Sequence, residues 1–253
     1  MNMDRRKYSS SAAVASTLSL ANVGYSVDGF KILSELSFQT ASHRVGIVGR
    51  NGSGKSTLAR LLAGLIAPTE GRIEVNGRNL AKDRKAALGE IGILFQNPDY
   101  QIIFPTVEEE ISFGLRQLGN SKAKAKTKAL ETLAVFSKSH WADAHISRLS
   151  HGQKHLVCLM SVVAMKPKAI ILDEPFTGLD IPTKAQLNRY LAQYDGTLIH
   201  ISHDPEDLQR YDHILWMERG GIARAGEPGD VLAAYTAEMN ALGGLDDISD
   251  LTG

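Results

Sequence analysis

The stretch Gly49-Arg50-Asn51-Gly52-Ser53-Gly54-Lys55-Ser56-Thr57 decides the fold of this chain, because it fits the pattern G-x-x-x-x-G-K-S/T. Its glycines let the backbone turn tightly and aim successive N–H groups at one anion. Lys55 supplies a positive charge suited to β- and γ-phosphates, and Ser56 supplies a hydroxyl suited to Mg²⁺. All residues of the stretch are therefore predicted to bind the phosphates of a nucleotide.

The sequence on both sides of this loop agrees with that prediction. Residues 45–48 read as a short buried strand, and the helical spacing of apolar residues that follows is carried by Leu58, Leu61, Leu62 and Leu65. A strand, a glycine-rich loop and a helix in this order place phosphates at a helix N-terminus. A chance glycine-rich turn would not bring a lysine in register together with both flanking elements.

The composition is that of a globular protein without an overall charge. The chain has 253 residues, 43% of them hydrophobic, and 28 basic against 28 acidic residues. Zero formal charge gives no global field that would attract nucleic acid or an anionic membrane. Cys158 is the single cysteine, which excludes an internal disulfide and suits a reducing compartment. The apolar run at residues 156–165 is too short to span a bilayer.

Both ends of the sequence are predicted to lie outside the globular domain, which we place at residues 18–235. Residues 1–17 join a basic segment to a Ser- and Ala-rich one and predict a flexible leader. Residues 236–253 carry Asp246, Asp247 and Asp250 close to glycines and predict a mobile tail.

The order of the predicted elements indicates an α/β fold with two kinds of sheet. Residues 18–23, 31–36 and 73–77, the last with an Asn-Gly turn, predict an N-terminal antiparallel β-subdomain. Later apolar segments alternate with helical patterns, as in a mainly parallel sheet, and lie at residues 91–95, 169–172, 197–201 and 213–217.

The middle of the chain reads only as helix, which predicts an inserted α-helical subdomain at about residues 106–150. Thr106 and Glu109 have the spacing of a capping box at its start. Two apolar faces are predicted, one from Val107, Ile111, Leu115 and Leu118, the other from Leu130, Leu133 and Phe136.

Two carboxylates follow a continuous apolar strand at residues 169–172. Asp173 and Glu174 would lie at the carboxyl edge of the sheet, where α/β proteins present groups to ligands. One carboxylate can hold Mg²⁺ and the next can polarise a water molecule that attacks the γ-phosphate. We assign Asp173 to the metal and Glu174 to the base, because a phosphate loop lies upstream.

Several further motifs, in order, resemble those of the ATP-binding cassette (ABC) ATPase family. Leu149-Ser150-His151-Gly152-Gln153 resembles its LSGGQ signature, and Thr177-Gly178-Leu179-Asp180 resembles its D-loop. His203 is similar to its switch histidine, and Gln96 to its Q-loop glutamine. The resemblance runs from about residue 18 to residue 229.

This resemblance implies a P-loop NTPase with a RecA-like core that hydrolyses ATP with Mg²⁺. It implies catalytic roles for Glu174, His203 and Gln96, and metal ligation by Ser56, Gln96 and Asp173. Two cassettes would face each other head to tail, so that Ser150, His151, Gly152 and Gln153 act on the ATP of the partner, with Asp180 in the D-loop between them.

Two positions depart from the family pattern. His151 replaces the first glycine of the signature, which a helix-start position tolerates. Val27 occupies the position where the family stacks an aromatic ring on adenine, with Tyr25 and Phe30 nearby. The adenine contact is therefore not assigned to one residue, and ATP is inferred from the resemblance.

Residues 95–110, with Asn97-Pro98-Asp99 at their start, resemble the energy-coupling-factor (ECF) ATPases of bacterial importers. That resemblance implies a peripheral subunit on the cytoplasmic face of the membrane, which works with a transmembrane coupling protein and a substrate-binding membrane protein. The solute would be a vitamin or a transition-metal ion, and Ile102-Ile103-Phe104-Pro105 is most similar to the biotin type. A homodimer of the ATPase is favoured.

Two other classes of function remain open from the sequence. A soluble ABC ATPase that acts on nucleic acid or the ribosome would need a long coiled-coil insertion or two cassettes in one chain, and the sequence has neither. A nucleotide-sensing adaptor without turnover is disfavoured, because Lys55, Asp173, Glu174 and His203 are all present.

Overall fold

The computed structural model describes residues 14–243, and they divide into two compact units. The phosphate-loop unit comprises Ala15–Ala87, Ile171–Glu174 and residues 197–243. The helical unit comprises Leu88–Ile170 and Pro175–Gly196. Most of the predicted leader and the acidic positions Asp246, Asp247 and Asp250 lie outside the described residues.

The elements follow in an α/β order. The strands are β1 (Leu18–Val27), β2 (Phe30–Thr40), β3 (Arg44–Gly49), β4 (Glu70–Val75), β5 (Ile91–Leu94), β6 (Ala169–Asp173), β7 (Thr197–Ile201), β8 (His213–Glu218) and β9 (Gly221–Gly226). The α-helices are α1 (Lys55–Leu62), α2 (Arg84–Glu90), α3 (Val107–Gln117), α4 (Lys122–Val135), α5 (His151–Ala164), α6 (Ile181–Ala192) and α7 (Pro228–Gly243).

The first sheet is antiparallel, with the strand order β2-β1-β4. The predicted Asn-Gly turn follows β4, with φ values of 53° at Asn76 and 72° at Gly77. Val75 and Arg78 exchange two backbone hydrogen bonds of 2.9 and 3.0 Å across this turn. Positive φ at both central residues is what a tight hairpin turn requires. The predicted antiparallel subdomain is confirmed.

The second sheet supports the phosphate loop, and β3 lies in its interior. Within the phosphate-loop unit the strand order is β6-β7-β3-β8-β9. β3 pairs in parallel with both β7 and β8, and β9 is an antiparallel edge strand. Residues 45–49 and all of β7 are buried, as expected for strands covered on both faces. The predicted α/β class with a mainly parallel sheet is confirmed.

Helix α7 closes one side of the phosphate-loop unit and was not predicted. Its apolar residues join a buried cluster beneath the end of β8; the members are Val48, Leu208, Ile214, Trp216, Val231, Leu232 and Tyr235. The predicted tail begins too early, because residues 236–243 continue this helix. No helix within residues 14–243 is long and apolar enough to cross a membrane.

Three leucines that were predicted to lie on apolar helix faces are exposed in the structure. Helix α1 ends at Leu62, because Gly64 turns the chain with φ 69° and a Cβ there would lie 2.8 Å from the Leu80 backbone. Leu65 therefore lies beyond the helix and is 48% exposed. In the helical unit Leu118 and Leu130 are exposed too, whereas the buried residues of α4 are Ala125, Ala129 and Leu133.

The predicted capping box at Thr106 also differs from the structure. Thr106 is the N-cap of α3, but its hydroxyl donates to Glu109 Oε2 at 2.6 Å instead of accepting a backbone N–H. The two side chains therefore form a hydrogen bond with each other and leave the helix backbone without a side-chain cap. The first turn of α3 instead receives support from residues 142–144, whose carbonyls accept the N–H groups of Val107 and Glu108.

Candidate functional site

The phosphate loop connects β3 to α1, and glycine is required where it meets the helix. Gly54 is the N-cap of α1 with φ 93°, a left-handed conformation. A Cβ at Gly54 would lie 2.5 Å from Leu33 Cδ2 of β2. The antiparallel sheet thus contacts the loop directly and holds the helix N-terminus, an anion-binding position, in place.

The Lys55 side chain is buried and folds back onto the phosphate loop that precedes it. Its Nζ donates to the carbonyl oxygens of Gly49 at 2.7 Å and Arg50 at 2.8 Å. Burial lowers the pKa of Lys55, while the carboxylates of Glu174, Asp173 and Glu218 oppose this shift. The ammonium group is therefore held where phosphate oxygens can replace the two carbonyls as its acceptors.

Ser56 and Asp173 meet at the start of α1 and the end of β6. The Ser56 hydroxyl donates to Asp173 Oδ1 at 3.2 Å. Burial raises the pKa of Asp173, the Ser56 hydrogen bond opposes the shift, and the Glu174 charge adds to it. A buried carboxylate that lacks a full counter-charge gains from a cation, so these oxygens fit Mg²⁺.

Mg²⁺ needs few protein ligands in such a site, because phosphate oxygens and water complete its octahedron. Within residues 14–243, no group of three or more His, Cys, Asp or Glu side chains could hold a metal ion.

Glu174 and His203 lie in contact in the phosphate-loop unit. His203 Nδ1 lies 2.6 Å from Glu174 Oε2. Glu174 has a φ of 49° and donates its backbone N–H to the Ile201 carbonyl at 3.0 Å. A non-glycine residue in this conformation is uncommon and is held here by the adjacent strand β7. The predicted base and the predicted switch histidine are therefore brought together.

The remaining predicted site residues lie in the helical unit. Gln96 is exposed just after β5. Ser150 is the N-cap of α5 and forms a complete capping box with Gln153: Ser150 Oγ accepts the Gln153 N–H at 3.3 Å, and Gln153 Oε1 accepts the Ser150 N–H at 2.8 Å. The signature is thus the ordered start of a long helix.

His151 occupies the first turn of α5 and is exposed. Its ring lies edge to face against His155, with 4.9 Å between centroids. A Cβ at Gly178 would lie 4.0 Å from His151 Nε2, so the imidazole also reaches the D-loop of the same unit. The departure from the family pattern at this position therefore places a titratable ring between two of the motifs.

Gly152 is where α5 and α6 approach each other. A Cβ at Gly152 would lie 2.7 Å from Thr183 Cγ2, in the first turn of α6. Asp180 caps that helix, since its Oδ1 accepts the Thr183 N–H at 3.0 Å. Hydrogen bonds from the Thr183 side chain and, to a smaller extent, from its backbone lower the pKa of Asp180. Gly152 and Asp180 both have structural reasons for their identity in addition to the roles predicted for them.

The position expected to contact adenine lies at the β1–β2 hairpin. Val27 and Phe30 are paired there and are 41% and 78% exposed. Both side chains are therefore accessible to a base, and the assignment between them stays open.

Sequence reasoning missed Glu218, the last residue of β8. Glu218 Oε1 lies 3.8 Å from Arg50 Nη1 of the phosphate loop. The sequence carries no signal for this contact, because it depends on the pairing of β8 with β3.

Comparison with known proteins gives the same family throughout. The ABC transporter family model matches residues 33–177. The chain is 45% identical to the biotin transport ATP-binding protein BioM of Rhodobacter capsulatus, over 89% of this chain and 96% of that protein. It is 37% identical to the energy-coupling factor transporter ATP-binding protein EcfA1 of Mycoplasma genitalium, over 87% of this chain and 81% of that protein.

A solved structure agrees with these relatives. The structure of cbiO1 from Clostridium perfringens, described as part of the ABC transporter complex cbiONQ, matches with a TM-score of 0.73 and 29% identity. The match covers 92% of this chain and 97% of that chain.

Proposed function

Because the chain belongs to the ABC transporter family of ATP-binding proteins, we propose that it is the ATPase subunit of an ECF-type importer, with biotin as the favoured solute. The observation that carries the ATPase assignment is the arrangement in one unit of Lys55, the Ser56–Asp173 pair and the Glu174–His203 pair. The names of the relatives favour an energy-coupling factor transporter and biotin; a transition-metal ion is the second solute class.

Hydrolysis follows from the residues of this unit. Lys55 and the loop N–H groups bind the phosphates of ATP. Glu174 takes the proton of a water molecule as its oxygen bonds to the γ-phosphorus, and the bond from that phosphorus to the bridging oxygen of ADP breaks. His203 orients the carboxylate through the 2.6 Å contact between Nδ1 and Oε2.

Ser56 and Asp173 are the proposed holders of Mg²⁺, and the metal role of Gln96 stays a prediction from the resemblance. When bound, the ion would neutralise charge on the phosphate oxygens.

The functional form is proposed to be a homodimer. Ser150, His151, Gly152 and Gln153 would act on the ATP of the partner, since the start of α5 offers backbone N–H groups that favour an anion. The capping box leaves part of this helix end pre-ordered for that contact. Each ATP would then be enclosed by two chains, and Asp180 would lie near their boundary.

The movement that accompanies ATP binding and hydrolysis is proposed to reach the membrane partners through the loop at residues 97–104. Tyr100 and Ile103 are 84% and 67% exposed, and we name these two residues the docking patch. Its proposed occupant is a cytoplasmic helix of the transmembrane coupling protein, which in turn works with the substrate-binding membrane protein. The chain would thus be peripheral, on the cytoplasmic face of the cell membrane.

Reconstitution tests this function directly. The chain, co-expressed with the membrane proteins that co-purify with it in detergent, should support ATP-dependent uptake of labelled biotin into liposomes. The Glu174→Gln variant should assemble equally well but support no uptake. Co-purification of ribosomes or nucleic acid in place of membrane proteins would favour a soluble ABC ATPase, and ATP binding without turnover in the complete complex would favour a sensing adaptor.

A further inference from the structure

The end of β8 supports the beginning of the phosphate loop. Gly49 and Met217 are paired in the parallel register of β3 and β8. A Cβ at Gly49 would lie 2.3 Å from the Met217 carbonyl oxygen, so the two backbones are in direct contact. The residues that follow these two along the chain are Arg50 and Glu218, which form the 3.8 Å ion pair.

Arg50 matters to the loop through its backbone as well as its side chain. Its carbonyl oxygen accepts the Lys55 Nζ at 2.8 Å and the Ser53 N–H at 3.2 Å. Any force that fixes Arg50 therefore also fixes the resting position of the lysine. The side chains of Arg50 and Glu218 are 20% and 22% exposed, so water screens their attraction less than at an open surface.

One carboxylate oxygen of Glu218 could still form a hydrogen bond to Arg50. Its Oε2 atom is buried and has no hydrogen-bond partner within the described part of the chain. A carboxylate with one oxygen 3.8 Å from a guanidinium nitrogen and the other unsatisfied can close to a bidentate pair, the strongest geometry for arginine.

Helix α7 packs against β8 beside this ion pair. Tyr235 packs edge to face on Trp216 of β8, with 5.6 Å between ring centroids, and is buried. Burial raises the pKa of Tyr235, the charges of Glu218 and Glu174 add to the shift, and Arg50 opposes it. The tyrosine therefore lies within electrostatic range of the ion pair and of the proposed base.

We propose that Glu218 is a positioning residue for nucleotide binding, which holds Arg50 so that the phosphate loop keeps the form that receives ATP. The inference rests on the proposed ATPase function and adds to it a residue outside the family motifs. Glu218 acts through Arg50 and Lys55 and does not contact the reacting atoms.

The test is a double-mutant cycle with ATP binding as the readout, measured by calorimetry on the full chain with Mg²⁺. Glu218→Gln keeps the size of the side chain and removes its charge, and should weaken ATP binding about fivefold. KM should rise more than kcat falls. In an Arg50→Ala background the same substitution should have no further effect, because the pair is already broken. Weaker binding by the same factor in both backgrounds would overturn the proposal, as would unchanged binding in the single variant.

Two controls separate this inference from the function on which it rests. Glu238→Gln removes an exposed carboxylate from α7, three residues beyond the buried Tyr235, and should leave ATP binding unchanged. Lys55→Ala should weaken binding whether or not Glu218 has a role. If Lys55→Ala binds ATP normally, the nucleotide site itself is wrong; if it fails while Glu218→Gln binds normally, only the positioning role is wrong.

Discussion

Lys55 and Glu174 lie in one unit but should fail in different ways when replaced. Lys55→Ala removes a charge that ATP meets in the ground state, so ATP affinity should fall by on the order of tenfold or more. An exposed lysine of the same unit, Lys82→Ala, provides the matched control. Binding is measured with a fluorescent ATP analogue, and an unchanged affinity in Lys55→Ala would contradict the assignment of the phosphate loop.

Glu174→Gln removes the proton acceptor but keeps a side chain able to contact His203. ATP should bind with little change, while kcat should fall by about 10²- to 10⁴-fold, the usual contribution of a general base. Steady-state phosphate release measures this, with the exposed Glu206→Gln as control. Hydrolysis at the unmodified rate would assign the base to another group.

His155 gives the fold a predicted sensitivity to acid. Burial lowers the pKa of His155 to about 4, the His151 charge contributes, and the Gln96 backbone opposes the shift. Below pH 6.5 the unfolded chain takes up a proton that the folded chain refuses, so the free energy of unfolding falls as the pH falls. Between pH 7.5 and pH 5 this loss should be about 2 kcal/mol.

Urea denaturation at the two pH values measures that loss. His155→Leu should lose about 2 kcal/mol less than the unmodified chain on acidification, because its side chain cannot take up a proton. The exposed His140→Gln provides the control and should keep the unmodified pH dependence. An equal pH dependence in His155→Leu would show that other groups carry the effect.

At the scale of elements, the loop at residues 97–104 is ordered by contacts at both of its ends. Lys154 of α5 donates to Asp99 at 2.7 Å, and the buried Glu110 of α3 accepts the N–H groups of Ile103 and Phe104 at 2.9 and 2.8 Å. Phe104 packs on Phe113, with 5.2 Å between ring centroids. These contacts explain why Phe104 faces the helices while Tyr100 and Ile103 face outward.

The docking patch can therefore be changed without disturbing the fold. Tyr100→Ala and Ile103→Asp should leave ATP binding and the melting temperature unchanged but reduce pull-down of the coupling protein and biotin uptake. Leu130→Asp changes an equally apolar exposed residue of the same unit and should have no such effect. Normal uptake by the folded double variant would exclude docking at this patch.

The helices, strands and turns also show which structural features could be predicted from the sequence. Asn76-Gly77, the strand at 45–48 and the helix after Ser150 were predictable, because each depends on residues within a few positions. Thr106 and Glu109 were misread, since their spacing cannot distinguish a capping box from two side chains that bond each other. Leu65 depended on the close approach of Gly64 to Leu80, which is a long-range contact.

The residues of the candidate site also differ in how far their roles could be predicted from local sequence. The residues of the phosphate loop and the Asp173-Glu174 pair carry their chemistry in a local pattern, whereas the contact of Glu174 with His203 depends on β7 lying beside β6. Glu218 and Tyr235 could not be assigned, because their relevance depends on β8 lying beside β3 and on α7 packing against β8. Those pairings are set by tertiary structure and not by local propensity.

At the scale of the whole molecule, assembly should depend on nucleotide. If the signature of one chain completes the site of another, Glu174→Gln with ATP and Mg²⁺ should sediment as a dimer and the nucleotide-free chain as a monomer. Lys55→Ala should stay monomeric under both conditions. Monomers of Glu174→Gln at saturating ATP would point to a heterodimer or to assembly that requires the membrane partners.

The position of β3 in the sheet has a consequence for biosynthesis. β3 ends at Gly49, whereas the strands on either side of it begin at Thr197 and His213. A ribosome therefore releases the phosphate loop long before the strands that fix it exist, and the nascent chain must carry an unpaired apolar strand until β7 and β8 have been synthesised. We therefore expect ATP to stabilise the chain only after β8 and α7 have left the exit tunnel. A chain that ends before His213 should aggregate and bind no nucleotide.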